Sequence, residues 1–240
     1  MSIVIVSGAR RTGTSMMMSA LYKGSSTLDL LVAPVLEKAN PAFKNYQPNP
    51  NGLYEVGLVR YLEPRFLRKI PNDCLIKVLY DGLPNLYPND YKIIWMDRDE
   101  DEIRASEERV DRHFKDCDKE AGTVKKDHNE YTQILPFCSL RPYSKEDVDH
   151  VLKICEMRKD FDLVRVNYRD VIEDPIKAFK KIKWTPLGRL RVDIDVEKAA
   201  SVIDKKLHRF KSEAIDEYSS SRYEGSAPEG HDHTPNSAAC

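Results

Sequence analysis

The sequence lacks the features that mark a membrane protein, a secreted protein or a nucleic-acid-binding protein. In 240 residues no apolar run approaches the length of a membrane span, and glycine and arginines follow directly on the short run at residues 2–7. We therefore expect a cytoplasmic protein with neither a secretory signal nor a membrane span. The formal net charge of −1 gives no global basic excess that would favour nucleic acid as a partner.

The cysteines give no sign of a disulfide framework or a zinc site. There are five, an odd number, and no two have the C-x-x-C spacing. Reduced thiols are expected in a cytoplasm. His231 and His233 flank an aspartate, but in a polar tail this pattern favours solvated side chains over a metal site, and no metal is predicted.

The order of the predicted elements indicates an α/β fold. Short apolar runs predict buried strands at residues 2–7 and 74–79 and two further strands at 90–97 and 161–167. Helical spacing of apolar residues predicts helices at 14–22, 56–69, 103–126, 144–159, 174–183 and 196–210. We predict one domain at residues 1–212, with a central parallel sheet between helical layers, a charged helical cap at about 103–150 and an irregular loop at 40–52. The polar segment 213–240 is predicted to be a disordered tail.

The first predicted strand leads into a phosphate-binding type of loop. Gly8 and Gly13 are separated by four residues, with a buried strand before them and a helix after them. Backbone amides of such a loop, together with the helix N-terminus, form a cradle for anionic oxygens. This pattern predicts a P-loop NTPase-like domain.

The residue after this loop argues against a kinase. A nucleotide triphosphatase would have lysine at position 14, where this chain has Thr14. Cationic side chains lie within the loop instead, as Arg10 and Arg11, and a guanidinium can bind two oxygens of a phosphate or sulfate at once.

Three segments together resemble the sulfotransferase family. The segment SGARRTGTSMMM resembles the family's 5′-phosphosulfate loop, with Arg11 in the basic position and Arg10 in place of the usual proline. Arg98 ends a hydrophobic strand and Ser106 follows eight residues later, similar to the family's 3′-phosphate arginine and serine. The segment NYRDVIEDP resembles the stretch in which the family's tyrosine contacts adenine, which implies that role for Tyr168.

The resemblance implies a co-substrate and a set of donor-binding residues. The donor would be 3′-phosphoadenosine 5′-phosphosulfate (PAPS), and no metal is required. Its binding residues would be Gly8, Arg10, Arg11, Thr12, Gly13, Thr14, Ser15, Arg98, Ser106 and Tyr168. The basic 3′-phosphate loop that many members have near the C-terminus has only a faint counterpart here at residues 188–189.

The implied reaction is in-line attack of an acceptor hydroxyl or amine on the donor sulfur. Arg11 is expected to stabilise charge on the bridging oxygen, with Lys77 as a second cation. The family's histidine base has no counterpart after Lys77, so Glu55 is the predicted general base and Asp81 the next candidate. Glu37 and His113 are further alternatives.

Two other functions remain open on the sequence. One is a nucleotide or small-molecule kinase, and the other is a non-catalytic protein that binds adenosine bisphosphate. The acceptor is not identified, but a mixed-charge wall from residues 40–52 and 107–126 favours a polar small molecule, a carbohydrate or a peptide.

Overall fold

The protein contains a five-stranded parallel sheet. The computed structural model describes residues 3–31, 54, 74–120, 143–183 and 192–207, with the backbone alone for 113–120. The strands of the sheet are β1 Ile3–Gly8, β2 Asp29–Leu30, β3 Cys74–Lys77, β4 Tyr91–Asp97 and β5 Phe161–Asn167. Their order is β2-β3-β1-β4-β5, and every pair is parallel. The predicted α/β class and parallel sheet are confirmed.

Helices flank the sheet. They are α1 Thr14–Gly24, α2 Glu100–Glu120, α3 Lys145–Met157, α4 Tyr168–Glu173, α5 Pro175–Lys183 and α6 Val196–Ala200, with short 3-10 helices at Tyr80–Asn85 and Lys205–Leu207. All six residues of β1 are buried, as a central strand covered on both faces requires.

Two apolar cores, one on each face of the sheet, give the predicted three layers. Val4 and Val6 pack in the core that contains residues of α1, α4, α5 and α6. Ile3 and Ile5 point to the opposite face, because side chains alternate along a strand, and pack in the core that contains residues of α3.

Side-chain caps explain where two of the helices begin. Ser144 Oγ accepts a hydrogen bond from Asp147 N at 3.2 Å, so Ser144 is the N-cap of α3, which begins at Lys145, one residue after the predicted start. Asp99 Oδ1 accepts from the amide nitrogens of Asp101 and Glu102 at 3.1 and 3.2 Å. The helix α2 therefore begins at Glu100, three residues before the predicted start.

The prediction of a helix over residues 196–210 is wrong for residues 201–207, and residues 208–210 lie outside the described part of the chain. The next residues are a serine and two β-branched residues, which have low helix propensity. Asp204 Oδ1 then accepts from Lys206 N at 2.9 Å at the start of a separate 3-10 turn. Two short elements were not predicted: β2, which has only two residues, and α4, which has six.

Several predictions fall outside the described residues. They are the irregular loop at 40–52, the helix at 56–69, part of the cap at 121–142, the basic candidate at 188–189 and the tail at 213–240. The domain limit at residue 212 stays a prediction. Within the described ranges, no helix is both long enough and apolar enough to cross a bilayer.

Candidate functional site

The loop between β1 and α1, here called the glycine loop (residues 8–13), has a backbone conformation that depends on both of its glycines. Gly8 has a φ of 141° and Gly13 a φ of 90°. A Cβ atom on Gly8 would lie 2.6 Å from Met96 O, and one on Gly13 would lie 2.5 Å from Tyr168 Cδ2. The loop is therefore packed directly on β4 and on the first residue of α4, where no larger side chain fits.

Arg11 adopts a left-handed conformation within the glycine loop, with a φ of 65°. Non-glycine residues adopt this conformation at a cost of about 1–2 kcal/mol, so surrounding contacts must hold it in place. Thr12 Oγ1 donates to Ala9 O at 2.7 Å inside the loop. Arg98 NH1 donates to Arg11 O at 2.8 Å from outside.

The N-terminus of α1 has no side chain that competes for its amides. Its N-cap is Gly13, and no acidic residue lies in the first turn. The first intrahelical bond runs from Met17 N to Gly13 O at 3.0 Å, which leaves the first-turn amides without an intrahelical acceptor. Such amides, with the positive end of the helix dipole, can bind an anion.

Three of the predicted donor-binding side chains lie together at the carboxyl edge of the sheet. Arg11 Nε donates to Ser106 Oγ at 3.0 Å, although the two residues are 95 positions apart. Arg98 NH1 donates to the backbone carbonyl of the same arginine, Arg11. The end of β4, the first turns of α2 and the glycine loop therefore meet at one place.

The guanidinium of Arg98 is packed into the protein. Its side chain is 7% exposed, and its Nε donates to Glu102 Oε2 at 2.9 Å. The guanidinium carbon lies 4.3 Å from the centre of the Tyr168 ring, a cation–π contact. Tyr168 is itself buried, and its ring packs so close to Gly13 that a Cβ atom there would lie 2.5 Å from Tyr168 Cδ2. Arg98 and Tyr168 therefore both pack against the glycine loop.

A second cation reaches the start of α1 from β3. Lys77 is buried, and its Nζ donates to Ser15 Oγ at 3.2 Å. Thr14 and Ser15 are also buried. The ammonium of a lysine on a neighbouring strand thus lies beside the start of α1. The glycine loop itself contains no lysine.

Other predicted residues are not joined to this cluster. Arg10 is half-buried, and its side chain makes no hydrogen bond or ion pair with the part of the chain that is described. Asp81 is exposed in the first turn of the 3-10 helix at Tyr80–Asn85, and no described contact links its carboxylate to the glycine loop. Glu55, Glu37 and the side chain of His113 lie outside the described residues.

Two residues of the site, Glu102 and Arg169, were not among those predicted. Glu102 is 1% exposed, and its Oε1 accepts from Arg169 NH2 at 3.2 Å while its Oε2 accepts from Arg98. The four-residue spacing from Arg98 to Glu102 is a helical ion-pair signal that could have been recognised. The contact with Arg169 spans 67 positions and has no local signal.

A polar cavity of about 460 Å³ lies beside this cluster, at the ends of β4 and β5. Its lining carries both charges: the cations are Arg98, Lys145, Arg165 and Arg169, and the carboxylates are Asp97, Asp99, Glu100, Glu102 and Asp149. Among the described residues, no group of three or more histidine, cysteine or acidic side chains is arranged to hold a metal ion. Amides, hydroxyls and cationic side chains at the glycine loop can bind an anion, whereas the cavity beside them presents both charges.

The fold and site define a class: an α/β protein with a parallel sheet and an anion-compatible loop at the carboxyl edge of its central strand. No protein-family profile and no curated protein matches the sequence. Similar solved structures include the sulfotransferase domain from the curacin biosynthetic pathway, with a TM-score of 0.38, 12% identity, and coverage of 95% of this chain and 99% of that one. A sugar kinase from Janibacter sp. HTCC2649 has a TM-score of 0.31 and 11% identity, and covers 75% and 94% of the two chains. At such TM-scores these matches do not bear on function.

Proposed function

We propose that the protein is a sulfotransferase that transfers the sulfuryl group of PAPS to a hydroxyl or amine of a polar acceptor. The glycine loop and the first-turn amides of α1 would bind the 5′-phosphosulfate. Arg11 would stabilise charge on the oxygen that bridges sulfur and phosphorus. The acceptor oxygen or nitrogen would form a bond to sulfur as the bond from sulfur to the bridging oxygen breaks, releasing adenosine 3′,5′-bisphosphate and a proton.

The observation that supports this proposal best is the contact of Lys77 with Ser15. In P-loop triphosphatases the loop lysine binds the phosphates, and the hydroxyl of the next residue binds Mg²⁺. Here Thr14 occupies the lysine position, and the Lys77 ammonium lies 3.2 Å from the hydroxyl of the next residue. The Lys77 ammonium therefore lies beside the hydroxyl that in a P-loop triphosphatase would bind Mg²⁺. This arrangement favours a donor that reacts without Mg²⁺.

The general base stays a prediction. Glu55 is the first candidate and lies outside the described residues, whereas Asp81 is exposed and belongs to the turn that follows β3 by two residues. A base must lie within hydrogen-bond reach of the acceptor, so an acceptor-bound complex decides between them.

Calorimetric titration tests the donor. We expect the protein to bind adenosine 3′,5′-bisphosphate in the presence of EDTA, because the amides and cations of the site carry the charge compensation. A preference for magnesium-ATP over the bisphosphate would contradict the proposal and favour a kinase. Bisphosphate binding without transfer of radiolabelled sulfate from PAPS to any acceptor in a broad panel would favour a non-catalytic binding protein.

A further inference from the structure

Arg98 and Tyr168 leave the sheet side by side. The strands β4 and β5 are paired in register to their ends, with Asp97 opposite Asn167. Arg98 is the next residue after β4 and Tyr168 the next after β5, and the Arg98 guanidinium carbon lies 4.3 Å from the centre of the Tyr168 ring. A guanidinium is attracted to the negative face of an aromatic ring. The register of the two strands therefore brings this pair together.

The ring of Tyr168 is enclosed on several sides. The residue is 5% exposed and belongs to the apolar core on the α1 face of the sheet. The Arg98 guanidinium covers one face of the ring, and the Cδ2–Cε2 edge packs against Gly13. A nucleobase that stacks on an aromatic side chain needs an exposed ring face. Tyr168 does not present such a face.

The same pair contacts two residues of the glycine loop that have unusual backbone angles. Arg11 has a φ of 65° and Gly13 a φ of 90°. Arg98 NH1 donates to Arg11 O at 2.8 Å, and the Tyr168 ring packs against Gly13. Conformations of this kind persist only where surrounding contacts hold them. Gly13 is also the N-cap of α1, so its conformation sets the direction of the first-turn amides.

We infer that Tyr168 is a positioning residue that presets the glycine loop for its anion and does not contact the nucleobase of the donor. This inference rests on the proposed function. The resemblance implies a contact with adenine for this tyrosine, whereas here its ring fills the space between Arg98 and Gly13. Tyr168 acts on the donor through the backbone of Gly13, because amides that are already oriented bind an anion with little further loss of backbone entropy.

Titration of two Tyr168 variants with two ligands tests this role. Tyr168→Leu should weaken binding of adenosine 3′,5′-bisphosphate and of inorganic pyrophosphate by a similar factor, because both ligands use the glycine loop. The factor should be about tenfold to hundredfold, since displacement of interacting groups by about 1 Å has effects of up to that size. Tyr168→Phe retains the ring and should bind both ligands as the wild-type protein does.

Phe161→Leu is the matched control. Phe161 is also a buried aromatic residue beneath an arginine, with the Arg158 guanidinium carbon 4.0 Å from the centre of its ring, but it begins β5 at the opposite edge of the sheet. This variant should be less stable than the wild-type protein and bind both ligands equally well.

Hydrogen–deuterium exchange of the unliganded protein gives a second readout that needs no ligand. Amides of the glycine loop and the first turn of α1 should exchange faster in Tyr168→Leu, because the loop then opens more readily. Their exchange should be unchanged in Tyr168→Phe and in Phe161→Leu. Circular dichroism establishes that each variant is folded, and Tyr168→Met replaces Tyr168→Leu if that variant is not.

The outcomes separate this inference from the proposed function. If Tyr168→Leu loses affinity for the bisphosphate alone, or if Tyr168→Phe loses as much as Tyr168→Leu, the tyrosine contacts the base; the inference is then wrong and the proposed function stands. Unchanged exchange of the loop in Tyr168→Leu also overturns the inference. If the wild-type protein does not bind the bisphosphate, the proposed function fails, and the exchange measurement still decides whether Tyr168 positions the loop.

Discussion

Lys77 is a buried cation beside the start of α1. It ends β3, whose four residues are all buried, and its ammonium reaches Ser15 in the first turn of α1. Moving a lysine out of water is costly, so its position indicates a stabilising polar environment. A negatively charged donor at the α1 terminus would add to that stabilisation, and Lys77 would in turn stabilise charge on the leaving group.

Replacement of this lysine gives a prediction at the residue scale. Lys77→Met should lower kcat for sulfuryl transfer about 10²-fold to 10³-fold, the range for loss of one preorganised donor at a developing anion. Steady-state kinetics with radiolabelled PAPS measures the effect. Lys23→Met serves as the control, because Lys23 is exposed at the opposite end of α1. Equal kcat values for wild type and Lys77→Met would exclude a catalytic role for this ammonium.

At the scale of elements, β4, α2 and α4 all contact the glycine loop. The ends of β1 and β4 are paired in register, with Gly8 beside Met96. Ser106, in the second turn of α2, accepts a hydrogen bond from Arg11. Tyr168, the first residue of α4, packs against Gly13. A change at the contact between α1 and α4 should therefore alter both stability and anion binding.

Gly13→Ala tests this contact. A left-handed alanine costs about 1–2 kcal/mol, and the added Cβ must also displace the Tyr168 ring, so the free energy of unfolding should fall by at least that amount. Urea denaturation measures the change. Ser19→Ala, which alters a half-buried position of the same helix, should stay within about 0.5 kcal/mol of wild type. The unfolding midpoints of Gly13→Ala and wild type would coincide if the loop could accept a side chain there.

At the scale of the whole molecule, the core on the α3 face makes stability sensitive to alkaline pH. Burial raises the pKa of Tyr91 from 10.0 to about 12, and burial likewise raises the pKa of Cys155 from 9.0 to about 11. Both groups lie in the same apolar cluster. In each case the folded protein retains a proton that the unfolded chain loses first.

Stability should therefore be unaffected by these groups below about pH 9 and should decline as the pH rises to about 12. Urea denaturation at a series of pH values measures the decline. Tyr91→Phe removes the titration of this phenol and should flatten the curve between pH 10 and about 12. It should also lower stability at neutral pH, because Tyr91 Oη donates to Tyr87 O at 2.9 Å. A curve for Tyr91→Phe parallel to that of wild type would contradict the assignment.

The sequence by itself determined the α/β class, four of the five strands and the location of the glycine loop. These features depend on local patterns: the continuous apolar run before Gly8, the cap of Ser144 on α3 and the proline at the start of α5. Such patterns act within a few residues, so they are visible without the fold. The prediction of a helix at 196–210 was too long, because the residues that follow Ala200 have low helix propensity.

Only the tertiary structure decided which side chains meet. The contacts of Arg11 with Ser106, of Lys77 with Ser15 and of Glu102 with Arg169 join positions 95, 62 and 67 residues apart. No local pattern encodes such pairs, because they form only when parallel strands bring their carboxyl ends to one edge. The cationic residues are visible in the sequence, but only the order of the strands brings them together around the glycine loop.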